Sequence, residues 1–177
     1  MQISLEEKIS SAIVEAVREN AADVGVCNRP EGMHGLEVLP YRCDEFVVAA
    51  PREHALAQHA AARFTDALDF DFIGLHTGSS INLVLTRAAA EAQRILRLRI
   101  QVTSWDGLCR MVEAGLGIAV LPRIAAEPYV ESGRICVLAL AEPWARRELS
   151  LCVRALDALP RAARLLVEHL KAPGGRA

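Results

Sequence analysis

Residues 104–122, SWDGLCRMVEAGLGIAVLP, constrain the fold more than any other stretch. Ser104 is a good N-cap, because its hydroxyl can accept from an orphan amide of a first helical turn, and Asp106 suits the positive end of the helix dipole. Leu108, Met111 and Val112 fall at i, i+3 and i+4 and make one apolar stripe. Gly115 stands where a left-handed C-cap is wanted, since a residue without Cβ takes positive φ at no steric cost. Residues 118–121 are all apolar, as in a strand covered on both faces, and Pro122 ends the run by withholding a donor. A polar helix start, a glycine turn and a buried strand within nineteen residues indicate α/β architecture.

The rest of the chain has the same grammar. Ile3 and Leu5 alternate with polar neighbours, which predicts a strand under way from residue 2. Ser10 or Ser11 opens a helix with Ile13, Val14 and Val17 on one face, and residues 23–26 read as a short strand. A loop over residues 28–35 leads to Leu36-Glu37-Val38-Leu39 and a strand at 45–50 rich in Phe and Val. Strand, helix, strand is the unit of parallel sheets. Beyond His54, a polar and alanine-rich stretch leads through residues 64–68 to a strand at 71–75. A helix runs from residues 77–80 to about 94, and strands at 98–103, 135–140 and 148–154 follow, with a linker at Pro143 and Trp144. A closing helix spans 159–170, and the tail around Pro173 is expected to fray.

With 177 residues, 52% of them hydrophobic and 24% charged, the chain can bury one medium core or two small ones. A net charge of -2 argues against nucleic-acid binding by this chain itself, which would need a basic face. The local cluster Arg94, Arg97 and Arg99 reads as a solvated face. The five cysteines, at 27, 43, 109, 136 and 152, make no C-x-x-C or zinc spacing. Cys109, Cys136 and Cys152 lie within apolar patterns and read as small buried hydrophobes, a usage that fits a reducing cytoplasm. MQISLEEKIS lacks an apolar signal-peptide core, and no run approaches a membrane span.

The residues that could carry chemistry are His76, Thr77, Gly78, Ser79 and Ser80. A strand that ends in small hydroxyl residues and then enters a helix aims free amides and the helix dipole at an anion, and glycine lets the backbone approach closely. The same residues also make a plain N-cap with no ligand. Ser10 and Ser11 allow the same two readings. Cys27 and Asn28 lie just after a strand's carboxyl end, where open α/β sheets bind ligands, or else they form a turn. Capping alone explains Ser104. Catalytic signatures do not assemble. Gly115-Leu116-Gly117 closes a helix and opens a strand, the reverse of a phosphate loop. G-x-S-x-G is absent, and His54 and His59 are too badly spaced to share a metal on one helix face. His34, His76 and His169 are isolated, and Glu6, Glu7, Asp69 and Asp71 read as solvated acids. No cofactor and no metal are expected.

Three segments together resemble a known family. These are VEAVRENAADVGV (residues 14–26), VAAPREHALA (residues 48–57), and AGLGIAVLP (residues 114–122) with its Ser-initiated helix and the following ESGRICVLAL. In that order they resemble the effector-binding domain of LysR-type transcriptional regulators. Ala55 stands where proline is common in the family, and Asn20 where glycine is usual. The resemblance implies two Rossmann-like αβ lobes joined by two crossovers, a periplasmic-binding-protein-like fold of type 2. Its lobes would be residues 1–55 with 143–177, and residues 56–142. It further implies that the first strand and helix of lobe I and an N-terminal winged helix-turn-helix lie outside this chain.

By the same resemblance a small effector, a carboxylate for choice, binds between the lobes and is lined by Ser10, Cys27, Thr77, Gly78, Ser79 and Ser80. The chain would form a homodimer or tetramer, contact DNA only through the absent domain, engage no membrane and catalyse nothing. A cysteine switch through Cys43 and Cys109 is a further possibility, each having an arginine beside it (Arg42 and Arg110). Two other readings stand beside the regulator: a stand-alone solute-binding protein, which would need export, and a small α/β enzyme, which would need a catalytic constellation.

Overall fold

A computed structural model describes residues 3–6, 8, 10–28, 33–76 and 79–171. Its elements are α1 (Ser10–Arg18), β1 (Gly25–Asn28), β2 (Glu37–Pro51), β3 (Ala61–Ala62), α2 (Phe64–Ala67), β4 (Phe72–Leu75) and α3 (Ser80–Glu91). They continue with β5 (Leu98–Val102), α4 (Trp105–Glu113), β6 (Ala119–Pro122), α5 (Arg123–Glu131), β7 (Ile135–Leu140), β8 (Arg146–Val153) and α6 (Arg161–Lys171). The chain divides into two compact units, Met1–Cys43 with Glu148–Ala177 and Asp44–Arg147. These units meet within β2 and at the start of β8, and residues 46–51 of β2 pair with β6 and β7.

In the first unit β8 lies between β1 and β2. β1 and β8 are antiparallel, with Gly25 opposite Cys152 and Cys27 opposite Ser150. Val14 and Val17 of α1 pack with Cys27 and Cys152, while Val167 of α6 packs with Leu151, Val153 and Leu159. Successive β8 side chains thus feed two separate apolar clusters, as strand alternation requires. The strand expected from residue 2 is absent among the described residues there. Residues 3–6 are irregular, and Ile3 and Leu5 are 61% and 94% exposed. Alternation specifies which face a strand buries, but it yields a strand only where a neighbour completes its hydrogen bonds.

The second unit is built on the buried run Phe46 to Ala50. β2 pairs antiparallel with both β6 and β7, and β3 adds parallel to β7. β4 and β5 are parallel, and one bridge, Phe72 to Ile118, links β4 to the residue before β6. The α4–β6 region forms as its sequence predicts. Ser104 Oγ accepts from the Gly107 amide at 3.1 Å. Gly115 (φ 73°) then closes the helix, its N–H on Val112 O and the Leu116 N–H on Met111 O, which is a Schellman ending. α1 and α3 end identically on Asn20 (φ 65°) and Gln93 (φ 54°). Asparagine tolerates this region better than most residues, which explains how Asn20 replaces glycine.

Gly117 has a different task. A Cβ there would lie 2.6 Å from Asp71 O, because the Ile118 amide bonds that carbonyl at 2.9 Å and Ile118 O accepts from Ile73 N at 2.8 Å. The first and last residues of the unit, Asp44 and Arg147, form an ion pair with side chains only 14% and 19% exposed, and the Arg147 guanidinium stacks 4.0 Å over Phe46. Arg94, Arg97 and Arg99 form a solvated face, paired with Asp69 and Asp71.

Candidate functional site

The loop that leaves β4 and opens α3 is the expected anion site. Thr77 and Gly78 lie outside the described residues, whereas both flanks are defined. Ser79 is the N-cap (φ -62°, ψ 140°), and its Oγ accepts from the Asn82 amide at 3.4 Å. The amides of Ser80 and Ile81 have no acceptor among the described residues, and the first turn carries no acidic side chain. Those two donors and the dipole of a twelve-residue helix can receive an anion. Ser80 is exposed at the helix start, while Ser79 is buried.

Asn82, which sequence reasoning did not single out, sets this geometry. It is 8% exposed and donates its amide nitrogen to Leu75 O at 2.6 Å, tying the first turn of α3 to the end of β4. Its Oδ1 is buried without a donor among the described residues. A Cβ on Gly74 would come within 2.9 Å of that oxygen, so glycine in the strand leaves room for the tie. A lone glycine inside a strand signals such close approach, and it was the available cue.

The other expected residues stand on other elements. Ser10 begins α1 and is half-buried. Cys27 is buried in the first unit's core, and its thiol faces Cys152. Asn28 ends β1, and Ser104 caps α4. Cys109 is buried, and burial with the nearby Asp106 charge pushes its thiol up to about 11, while Cys43 is exposed. Cys109 therefore lacks the lowered pKa of a reactive thiol.

Two open cavities lie elsewhere. One of about 280 Å³ sits on β2 and β8 beside Pro40, Arg42, Glu148 and Ser150. One of about 390 Å³ lies against α4 and α5, beside Trp105, Ile124 and Tyr129. At the second, the Tyr129 hydroxyl donates to Asp106, and Arg110 Nε donates to the same carboxylate at 2.9 Å. Those donors hold the Asp106 carboxyl below its ordinary range, and the shared bond holds the Tyr129 hydroxyl above its own. These polar groups satisfy one another and fasten α4 to α5, without an activated base or nucleophile. Among the described residues no three His, Cys, Asp or Glu side chains could hold a metal, and no helix is long and apolar enough to cross a membrane.

Known proteins match most of this chain. The model of the LysR substrate binding domain matches residues 1–173. The HTH-type transcriptional regulator YbhD of Escherichia coli strain K12 is 27% identical over 159 residues, which are 90% of this chain and 50% of that regulator. The chain thus spans about half the length of that relative. Among solved structures, the regulatory domain of CcmR from Synechocystis PCC6803 in complex with 2-PG superposes with a TM-score of 0.80 at 21% identity, covering 96% of this chain and 82% of that one. The effector binding domain of QuiR in complex with shikimate gives 0.73 at 20% identity, covering 93% and 77%. With a family model matched along nearly its whole length, the chain belongs to the LysR family of transcriptional regulators, as its substrate-binding domain.

Proposed function

We propose that this domain senses a small carboxylate at the N-terminus of α3 and that the bound state controls DNA binding by a domain outside this chain. The observation that carries the reading is the start of α3, with two amides lacking acceptors among the described residues, a buried Ser79 cap and no acid in the first turn. Ser79 and Ser80 supply hydroxyls, Thr77 and Gly78 complete the loop by sequence, and Ser10 is a second hydroxyl at a helix start with no acid in its first turn. Cys27 is left out because its thiol is buried. Support for a carboxylate comes from QuiR's effector binding domain, bound to shikimate, itself a carboxylate. A homodimer suits the function, since paired half-sites on DNA mirror a two-fold protein. The effector can move the equilibrium only by binding one state better than the other.

The test is a thermal-shift and calorimetric screen of small carboxylates against the chain, with Ser79→Ala and Ser80→Ala alongside. A ligand at 100 times its Kd adds about 2.7 kcal/mol, or roughly 5–10 °C for a domain of this size. The reading expects a shift that both variants weaken. A carboxylate that binds with unchanged affinity to folded Ser79→Ala and Ser80→Ala protein would move the site elsewhere.

A further inference from the structure

Five thiols are free in this chain, and two of them face each other in the core of the first unit. Cys27 Sγ lies 3.9 Å from Cys152 Sγ, although the residues are 125 apart in sequence. The register explains the meeting. Cys27 is opposite Ser150 and Cys152 opposite Gly25, so the cysteines are diagonal neighbours on the face that α1 covers. Cys109 and Cys136 instead direct their thiols to backbone carbonyls, of Ala125 and Ala50 respectively. We propose that Cys27 and Cys152 are a redox modification site, at which a hydroperoxide joins β1 covalently to β8.

The chemistry balances with the hydroperoxide as the sole oxidant. The Cys152 thiolate attacks the peroxide oxygen, the O–O bond breaks, and the leaving alkoxide or hydroxide takes a proton. The sulfenic acid so formed is attacked by Cys27 sulfur, the S–O bond breaks, and water leaves with the Cys27 proton. Two thiols and one hydroperoxide become one disulfide, one alcohol (water from hydrogen peroxide) and one water. Cys152 is the sulfur that ionises first. The thiol of Cys27 donates to it and holds it below the ordinary thiol range against the effect of burial, while the same bond raises Cys27. Closure brings the sulfurs from 3.9 Å to about 2.05 Å.

The product suits its surroundings. A disulfide is uncharged, and Ile13, Val14 and Val17 line this cluster. Oxidant reaches the buried pair when α1, the nine-residue helix whose Val14 and Val17 cover it, lifts away, which leaves the contact between β1 and β8 in place. The closed loop, residues 27–152, contains the whole of the second unit, so the bond constrains the unfolded chain strongly.

The experiment treats the folded Cys43→Ser chain, which keeps four of the five thiols, with graded hydrogen peroxide. Thiols are then blocked under denaturing conditions and the peptides mapped, with the unsubstituted chain mapped in parallel. The expected result in both chains is the loss of the Cys27 and Cys152 thiols, a peptide joining residues 27 and 152, reversal of that link by dithiothreitol, and a melting temperature several degrees higher when oxidised. In Cys152→Ala the linked peptide is absent. The inference is overturned if both thiols persist at peroxide levels that consume the exposed Cys43, if the link joins other cysteines, or if either residue goes to sulfinic acid without pairing.

Discussion

Gly115 and Gly117 are two residues apart, both with positive φ (73° and 155°), yet replacing each with alanine should have quite different costs. At Gly115 a new Cβ meets nothing within 4 Å, so only the left-handed backbone opposes it, at about 1 kcal/mol. At Gly117 the Cβ would sit 2.6 Å from Asp71 O, a backbone atom that cannot swing aside. Restoring van der Waals contact needs a shift of about 0.8 Å, which stretches the bond from Ile118 to Asp71 beyond ~3.5 Å. Two buried backbone bonds weaken at about 1 kcal/mol each, and the backbone strain adds about 1–2. Alanine's stiffer unfolded chain returns about 0.4–1. The net expectation is about 2–4 kcal/mol for Gly117→Ala, or roughly 5–15 °C in melting temperature. Urea and thermal melts followed by circular dichroism measure both variants. If Gly117→Ala melts no lower than Gly115→Ala, the close approach of β4 to the residue before β6 is not what demands glycine.

Further expectations follow from particular contacts. Asp44→Ala strands the Arg147 guanidinium with little solvent and should cost about 3 kcal/mol, whereas Asp44→Leu with Arg147→Met should recover most of that loss; urea melts of the single and double variants decide it. Gln93→Gly removes a left-handed non-glycine residue at the end of α3 and should stabilise the protein by about 0.5–1 kcal/mol, read as a higher denaturation midpoint. His54 Nδ1 accepts from the Leu56 amide at 3.2 Å, and burial lowers its pKa below 6.5. The folded state therefore binds the proton less well than the unfolded state. This stability is fully present above pH 6.5 and is lost as pH falls through the lowered folded value. NMR titration should find the lowered pKa, and His54→Ala should flatten the pH dependence of melting between about pH 5 and 7.

Local chemistry made much of this protein legible in advance. Ser79 and Ser104 cap helices because a hydroxyl beside orphan amides has the same use in any fold, and Gly115 ends α4 for a reason that resides in its own φ. The apolar run of residues 118–121 had to be buried, and it is. Periodicity was less reliable where pairing decides the outcome. Residues 36–39 and 45–50 read as separate pieces, yet residues 37–51 are one strand, in which Pro40 lies exposed. Residues 3–6 have a strand's alternation and form no strand. What only the tertiary structure decided depends on residues far apart in the chain. The Asp44–Arg147 pair spans 103 residues and the Cys27–Cys152 contact 125, and Gly117 is required by a carbonyl on another segment. Caps and turns act over three or four residues and can be read from sequence order. Steric exclusion, buried ion pairing and thiol contact act through space at a few ångströms, and sequence order carries no such distance until the chain has folded.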